Sequence, residues 1–407
     1  MTSLILNPAI LFSLVWGTTL YLYSLGYSAL LTPLDATTLI LVVGCCAGAL
    51  IGWVMSRTFA PRLLTSPIRN TAPWPKPVEL ALSRRLRPMF YLWLAAVAFE
   101  LVYFGNLPFL SLLGIGTPVL YTEYGFSGLH GLLNAMQLVM FDMTLLWYIK
   151  TGSRKHMLYA LALLTWSVLM VTRAMIMASI VQGIMIGLIF SARFRRRFLL
   201  LGSGVILAVI LAFGALGDLR SSEGASIQDI AQQSGSYPDY LPAGFFWVYV
   251  YVTTPLNNIN ANIQSIPATG FPYYTILPLI PNVVKTMFAV EEADISLVDE
   301  NLNVSSFFRQ FLLDYGVYGT ILVMTLLHLV YGVVLGKARR SDLWSLILVV
   351  ILFSTVMSVF VNAYTAVIYI IQMMIFKILY SATSPRARGA SPTDALHTKS
   401  SRLTQPG

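Results

Sequence analysis

Apolar residues run along this chain in blocks of roughly twenty, the length a helix needs to cross a hydrocarbon core. The blocks predict spans at 8–27, 36–55, 88–105, 131–149, 157–172, 174–191, 198–216, 316–336, 343–361 and 363–380. The fold class this predicts is an all-α polytopic membrane protein with about ten transmembrane helices. Residues 1–380 read as one transmembrane domain. One long stretch, 217–305, interrupts the series as a loop subdomain. It carries the aromatic and apolar runs "GFFWVYVYVTTPLNNIN" and "GFPYYTILPLIPNVVKTMF", which predict helices lying on or dipping into a leaflet. A shorter loop, 106–130, is also aromatic. The start, "MTSLILNPAI", lacks a basic n-region and a clear cleavage site, so the first block reads as a retained helix. The polar basic segment 381–407 reads as a disordered tail.

Composition sharpens this. Apolar types make up 57% of the chain and charged residues 11%, against about 25% charged in soluble domains. The formal net charge is +9. In a membrane protein such an excess reports orientation rather than a nucleic-acid partner. Basic residues gather at 57–87 (Arg57, Arg62, Arg69, Lys76, Arg84, Arg85, Arg87), at Lys150, Arg154 and Lys155, at 193–197, and at Lys337, Arg339 and Arg340. All four groups fall on one side if ten spans alternate, and the positive-inside rule makes that side cytoplasmic, with both termini. The 217–305 stretch, by contrast, has two basic residues, Arg220 and Lys285, against nine acids. Cys45 and Cys46 are adjacent and make neither a disulfide framework nor a metal-ligand spacing.

Several positions stand out. Gly44, Gly48 and Gly52 recur every four residues, which lets two helix backbones approach closely. Arg173 sits between two apolar runs at the external mouth of a hairpin, where a snorkelling role competes with a functional one. Arg220 follows the end of the seventh span, with Asp218 as an alternative partner. Arg309 and Asp314 lie five apart, about 140° around a helix, so they do not face each other well. Arg309 is expected to look into an external cavity, and Asp314 to orient an arginine or cap a turn. Lys285 is a weaker candidate. His130 reads as packed or capping rather than catalytic. The chain has no complete P-loop, no HExxH, no GxSxG and no Asp-x-Asp; Glu292-Ala293-Asp294 is a poor substitute. No metal and no cofactor is expected. Guanidinium forks suit phosphate oxygens, aromatic and amide side chains such as Tyr251, Asn257 and Asn258 suit sugars, and apolar walls suit a lipid tail. Together they predict a lipid-diphosphate sugar substrate.

The stretch "NVSSFFRQFLLDYGVYGTILVMTLLHLVYGVVLGKAR", with Asp314, Gly316 and Gly319 opening a long span, resembles the late signature of bacterial O-antigen polymerases, the Wzy-type oligosaccharide repeat-unit polymerases. "YVYVTTPLNNINANI" and "TRAMIMASIVQGIMIGLIF" resemble that family's aromatic-to-asparagine stretch and its arginine-opened span. The resemblance covers about residues 90 to 375. It implies a GT-C-like fold in the bacterial inner membrane and metal-independent glycosyl transfer on the periplasmic face. A growing glycan would leave undecaprenyl diphosphate for the terminal hydroxyl of an undecaprenyl-diphosphate repeat unit, with a chain-length regulator as a possible partner. Related O-antigen ligases carry a histidine before the acid–G-x-x-G stretch; that position falls near Ser305 here, which favours the polymerase and leaves the base unidentified. On this reading Arg173, Arg220 and Arg309 hold the diphosphate, and Asp299, Glu300 and Asp314 are candidates for taking the hydroxyl proton. A ligase and a transporter or flippase of lipid-linked sugars are the alternatives. A transporter is expected to show paired repeats and charge near the midplane; neither is evident in the sequence, and the candidate charges cluster at the external face.

Overall fold

The computed structural model describes residues 2–59, 72–119, 123–191, 200, 202, 204, 227–238, 240–280, 282–288, 296–302 and 304–381. The ten longer helices are α1 (Pro8–Ser24), α2 (Ala36–Phe59), α3 (Lys76–Phe104), α4 (Leu129–Thr151), α5 (Arg154–Leu169), α6 (Arg173–Phe190), α7 (Ala243–Asn262), α8 (Phe308–Ala338), α9 (Asp342–Met357) and α10 (Val367–Ser381). No strand occurs among the described residues; Ser28 and Gln233 form an isolated bridge. The described residues are all-α, and among them five helices are long and apolar enough to cross a membrane: Ala36–Thr58, Lys76–Leu112, Leu129–Thr151, Arg173–Phe190 and Phe308–Ala338.

The predicted blocks match these helices within a few residues, with informative departures. α3 begins twelve residues before its apolar block, at Lys76. Proline at its second position suits a helix start, where the missing N–H costs nothing. The block at 198–216 lies outside the described residues except at 200, 202 and 204, as do Arg220, Asp218, Glu291, Glu292, Asp294 and the tail 382–407.

The described basic turns meet at one end of the bundle, while Arg62, Arg69 and the group at 193–197 lie outside the described residues. Lys150 Nζ pairs with Asp342 at 3.3 Å and donates to the Ala72 carbonyl at 2.9 Å. Trp147 Nε1 donates to Glu79 at 3.1 Å, and Arg85 reaches Ser381 at 2.9 Å. This end is called the basic face below.

α2 and α8 lie side by side and run in the same direction. An added Cβ at Gly44 would meet Ile321, one at Gly48 would meet Thr325 Oγ1, and one at Gly52 would meet the Thr325 carbonyl oxygen at 2.1 Å. The glycine spacing therefore marks a packing seam, as the sequence suggests.

α8 is broken at Gly316, whose φ of 65° and ψ of −171° are non-helical. Glycine reaches positive φ at little cost. The break frees two carbonyls: Leu313 O accepts from Thr269 N, and Asp314 O from Gly270 N, both at 2.8 Å. The predicted span began at 316, and that residue is where the first two turns of α8 separate from its long apolar part.

Candidate functional site at the face opposite the basic turns

The hairpin between α5 and α6 turns in three residues, with Val171 at φ 54°, a conformation strained for a β-branched residue. It sets Arg173 in the first turn of α6. A cation there stands against the helix macrodipole, so its stabilisation comes from elsewhere. Arg173 is exposed, and its Nη1 meets Tyr251 Oη of α7 at 3.2 Å. The Tyr251 ring lies 5.6 Å from Trp247, one turn earlier. Two residues singled out for different roles, 78 positions apart, thus share one place.

Asp314 is fully buried. Its two oxygens accept the backbone N–H groups of Tyr274 and Thr275 at 2.8 and 2.7 Å. It caps the one-turn helix Tyr273–Ile276 and, with the carbonyls freed at the Gly316 break, ties segment 269–275 to α8. Arg309 lies on the first turn of α8, half-buried.

The asparagines of α7 divide between two directions. Asn257 Oδ1 accepts from Tyr23 Oη at 2.7 Å and Thr32 N at 3.0 Å, while its amide donates to the Leu30 carbonyl at 2.8 Å. Asn260 bonds Asp35 N at 2.8 Å and the Pro33 carbonyl at 2.9 Å. Asn258 and Asn262, one turn apart, face the other way. Asn258 donates to the carbonyls of Leu302 and Val304 and accepts from Val298 N, all at 3.0 Å. Asn262 holds Ser296. Buried amides need such partners, and those of Asn257 and Asn258 find them in this chain's own backbone. Asn260 and Asn262 are members of the network that sequence reading missed.

The remaining candidates lie on the segments these amides hold, or beside them. Asp299 is half-buried and Glu300 exposed, at the 3-10 turn Glu300–Leu302; Lys285 is half-buried on the helix Asn282–Met287. His130 is packed, as expected: its Nδ1 lies 2.9 Å from Oε2 of the buried Glu100, whose other oxygen accepts Phe126 N at 3.1 Å. Burial, and then the nearby Glu100 charge, push the Tyr124 hydroxyl up to about 12.

One polar centre went unread in the sequence. Asp142, in the middle of α4, is fully buried. Its Oδ2 accepts from Gln372 Nε2 of α10 at 2.9 Å, and the same amide donates to Gln182 Oε1 of α6 at 2.7 Å. This corrects the expectation of no charge near the midplane. The signal was one aspartate in "MQLVMFDMTLLW", and a lone intramembrane carboxylate is a functional candidate by default. Among the described residues no group of three or more His, Cys, Asp or Glu is placed to hold a metal ion.

No family model, no curated protein and no solved structure matches the chain.

Proposed function

We propose that this chain is a membrane glycosyltransferase of the oligosaccharide repeat-unit polymerase type, transferring a glycan between undecaprenyl-diphosphate carriers at the face opposite the basic turns. The observation that carries the reading is Arg173, an exposed cation at a helix start, set against Tyr251 and Trp247. An anion there satisfies the helix end and the guanidinium at once. In this reading Arg173 holds the departing diphosphate and stabilises charge as it develops, with Arg309 and Arg220 as further contacts. Tyr251 and Trp247 give a face for the sugar. Asp314 positions segment 269–275. The proton acceptor is drawn from Asp299 and Glu300. The finer architecture belongs to the same proposal: about ten spans in a GT-C-like arrangement, a bacterial inner membrane, cytoplasmic termini, and a chain-length regulator as partner.

The test is the purified protein with an undecaprenyl-diphosphate repeat unit and EDTA, without nucleotide sugar, read as a ladder of lengthened lipid-linked glycan. The wild type is expected to give a ladder. Arg173→Lys is expected to lose about tenfold or more in turnover, because a point charge replaces a fork. A wild-type rate in that variant would overturn the site, and no ladder from an intact, matched repeat unit would overturn the activity. A second reading, a proton-linked transporter of lipid-linked sugars, is favoured by Asp142 at the middle of the bundle. Movement of the same substrate across liposomes without lengthening would select it.

A further inference from the structure

We propose that Asp142 is a proton-binding site in the core of the bundle, loaded from the face opposite the basic turns along the inward side of α10. The inference is independent of which reaction the chain performs.

Three helices converge on this carboxylate. Gln372 spends both amide hydrogens, one on Asp142 Oδ2 and one on Gln182 Oε1. Gln182 in turn donates to Gln372 Oε1 at 3.3 Å. Asp142 Oδ1 and Ser179 Oγ, both buried, have no hydrogen-bond partner among the described residues. One amide donor is poor compensation for a full negative charge in apolar surroundings. Charged side chains on α4 and the helices packed against it stand toward the ends. Glu100, His130 and Arg173 lie toward the opposite face, and Glu79, Arg84, Arg85, Arg87, Lys150, the 154–156 cluster and the exposed Lys377 toward the basic face. At ~1.5 Å per residue, Lys150 is about 12 Å along α4 from Asp142. Neutralisation at the carboxylate itself therefore calls for a cation from solution. A sodium ion takes several oxygens, and the uncommitted ones here are Asp142 Oδ1 and Ser179 Oγ. A proton needs one.

The route is assigned to one side by α10. From Gln372 toward the basic face, the buried side of α10 continues with Phe376 and Leu379, and α4 with Leu145 and Leu146. Toward the opposite face, the next inward residue of α10 is Tyr369, also buried. Beyond it lies the turn between α9 and α10. There the Oδ1 and Nδ2 of the buried Asn362 and the Thr365 hydroxyl are buried and without hydrogen-bond partners among the described residues. Tyr369 and Gln372 are three apart on one side of α10, and Thr365 lies in the turn two residues before that helix starts. Hydroxyls both donate and accept, so this line suits proton passage between the turn and Asp142. Tyr369 is the titratable group of α10 on that path.

The experiment is infrared difference spectroscopy on the purified full-length protein in lipid, comparing H2O with D2O at fixed pH. The expected result is a protonated-carboxyl carbonyl stretch that shifts on exchange and is lost in Asp142→Asn. Tyr369→Phe and Thr365→Val keep the carboxyl and are expected to retain the band while slowing its exchange. They also cover the case in which Asp142→Asn fails to fold. A band that never exchanges would mean a purely structural acid and would overturn the proposal. So would an absent band, and sodium-dependent thermal stabilisation of the wild type would then assign the site to sodium. Exchange at the wild-type rate in both hydroxyl variants would overturn the route.

Discussion

Asp314 holds two backbone N–H groups with one carboxylate, and each hydrogen bond to a charged group contributes about 1.5–3 kcal/mol. Asp314→Asn turns one acceptor into an amide donor facing an N–H. The variant is expected to lose about 2–4 kcal/mol of stability, read as a lower melting temperature in detergent, because a buried N–H is left unpaired. If Asp314→Asn melts like the wild type, the capping role is wrong. Asp35 gives a pH signature at the same scale. The Thr37 backbone N–H, then the Thr37 hydroxyl and Gln264, hold its carboxyl below the usual range. A depressed folded value stabilises above the unfolded pKa of about 3.9, and that contribution is lost as pH falls through the folded value. Asp35→Asn should flatten the acid side of a stability–pH curve below about pH 4; an unchanged curve would dismiss the linkage. The acid–G-x-x-G spacing made Asp314 legible. Its partners did not appear, because Tyr274 and Thr275 lie about forty residues away, and Gly270 and Pro272 mark a turn there without saying which carboxylate caps it. Asn257 and Asn258 were legible only as polar types. Their neighbours Thr32 and Leu302 come from distant parts of the chain.

Among the elements, the α2–α8 seam was the most readable, since small residues every four positions encode a face. Gly52 has the Thr325 carbonyl where a Cβ would go, at 2.1 Å, and backbone gives way less readily than a side-chain tip. Gly17 of α1 has nothing within 4 Å of the same point. Gly52→Ala is therefore expected to cost about 1–3 kcal/mol by overpacking, whereas Gly17→Ala should be neutral or stabilise by up to about 1 kcal/mol. Thermal melts of the two variants side by side check this, and equal melting temperatures would refute the close contact. The break in α8 was half legible. The apolar pattern began the span at 316 because the helix does restart there, but the two preceding turns carry Phe307, Phe308 and Phe311 packed around Trp16 and Tyr315. Hydropathy alone does not distinguish such a buried cap from a loop. The run "GFFWVYVYVTTPLNNIN" predicts a helix within the 217–305 stretch, and α7 is a twenty-residue helix there, fixed by its asparagines.

For the molecule as a whole, composition alone was enough to give an all-α membrane class, and the distribution of arginine and lysine predicted a shared basic face. The Lys150–Asp342 pair and the contacts of Trp147 and Arg85 join four segments of that face. The positive-inside rule predicts which side of the membrane it occupies, and that side decides everything proposed for Arg173, since a lipid-linked glycan is lengthened where its sugars are presented. Cys45 and Cys46 are the chain's two cysteines, so a Cys45→Ser, Cys46→Ser background admits single reporters. Thr151→Cys is exposed beside the basic turn after α4, and Ser127→Cys is exposed before its other end. In right-side-out vesicles a membrane-impermeant maleimide is expected to label Ser127→Cys at once and Thr151→Cys only after permeabilisation. The reverse pattern would place Arg173, Tyr251 and the entrance to the Asp142 line in the cytoplasm, and the periplasmic glycosyl transfer would fall with it. Labelling of both without permeabilisation would show that α4 does not cross the bilayer, and would remove Asp142 from its apolar setting as well.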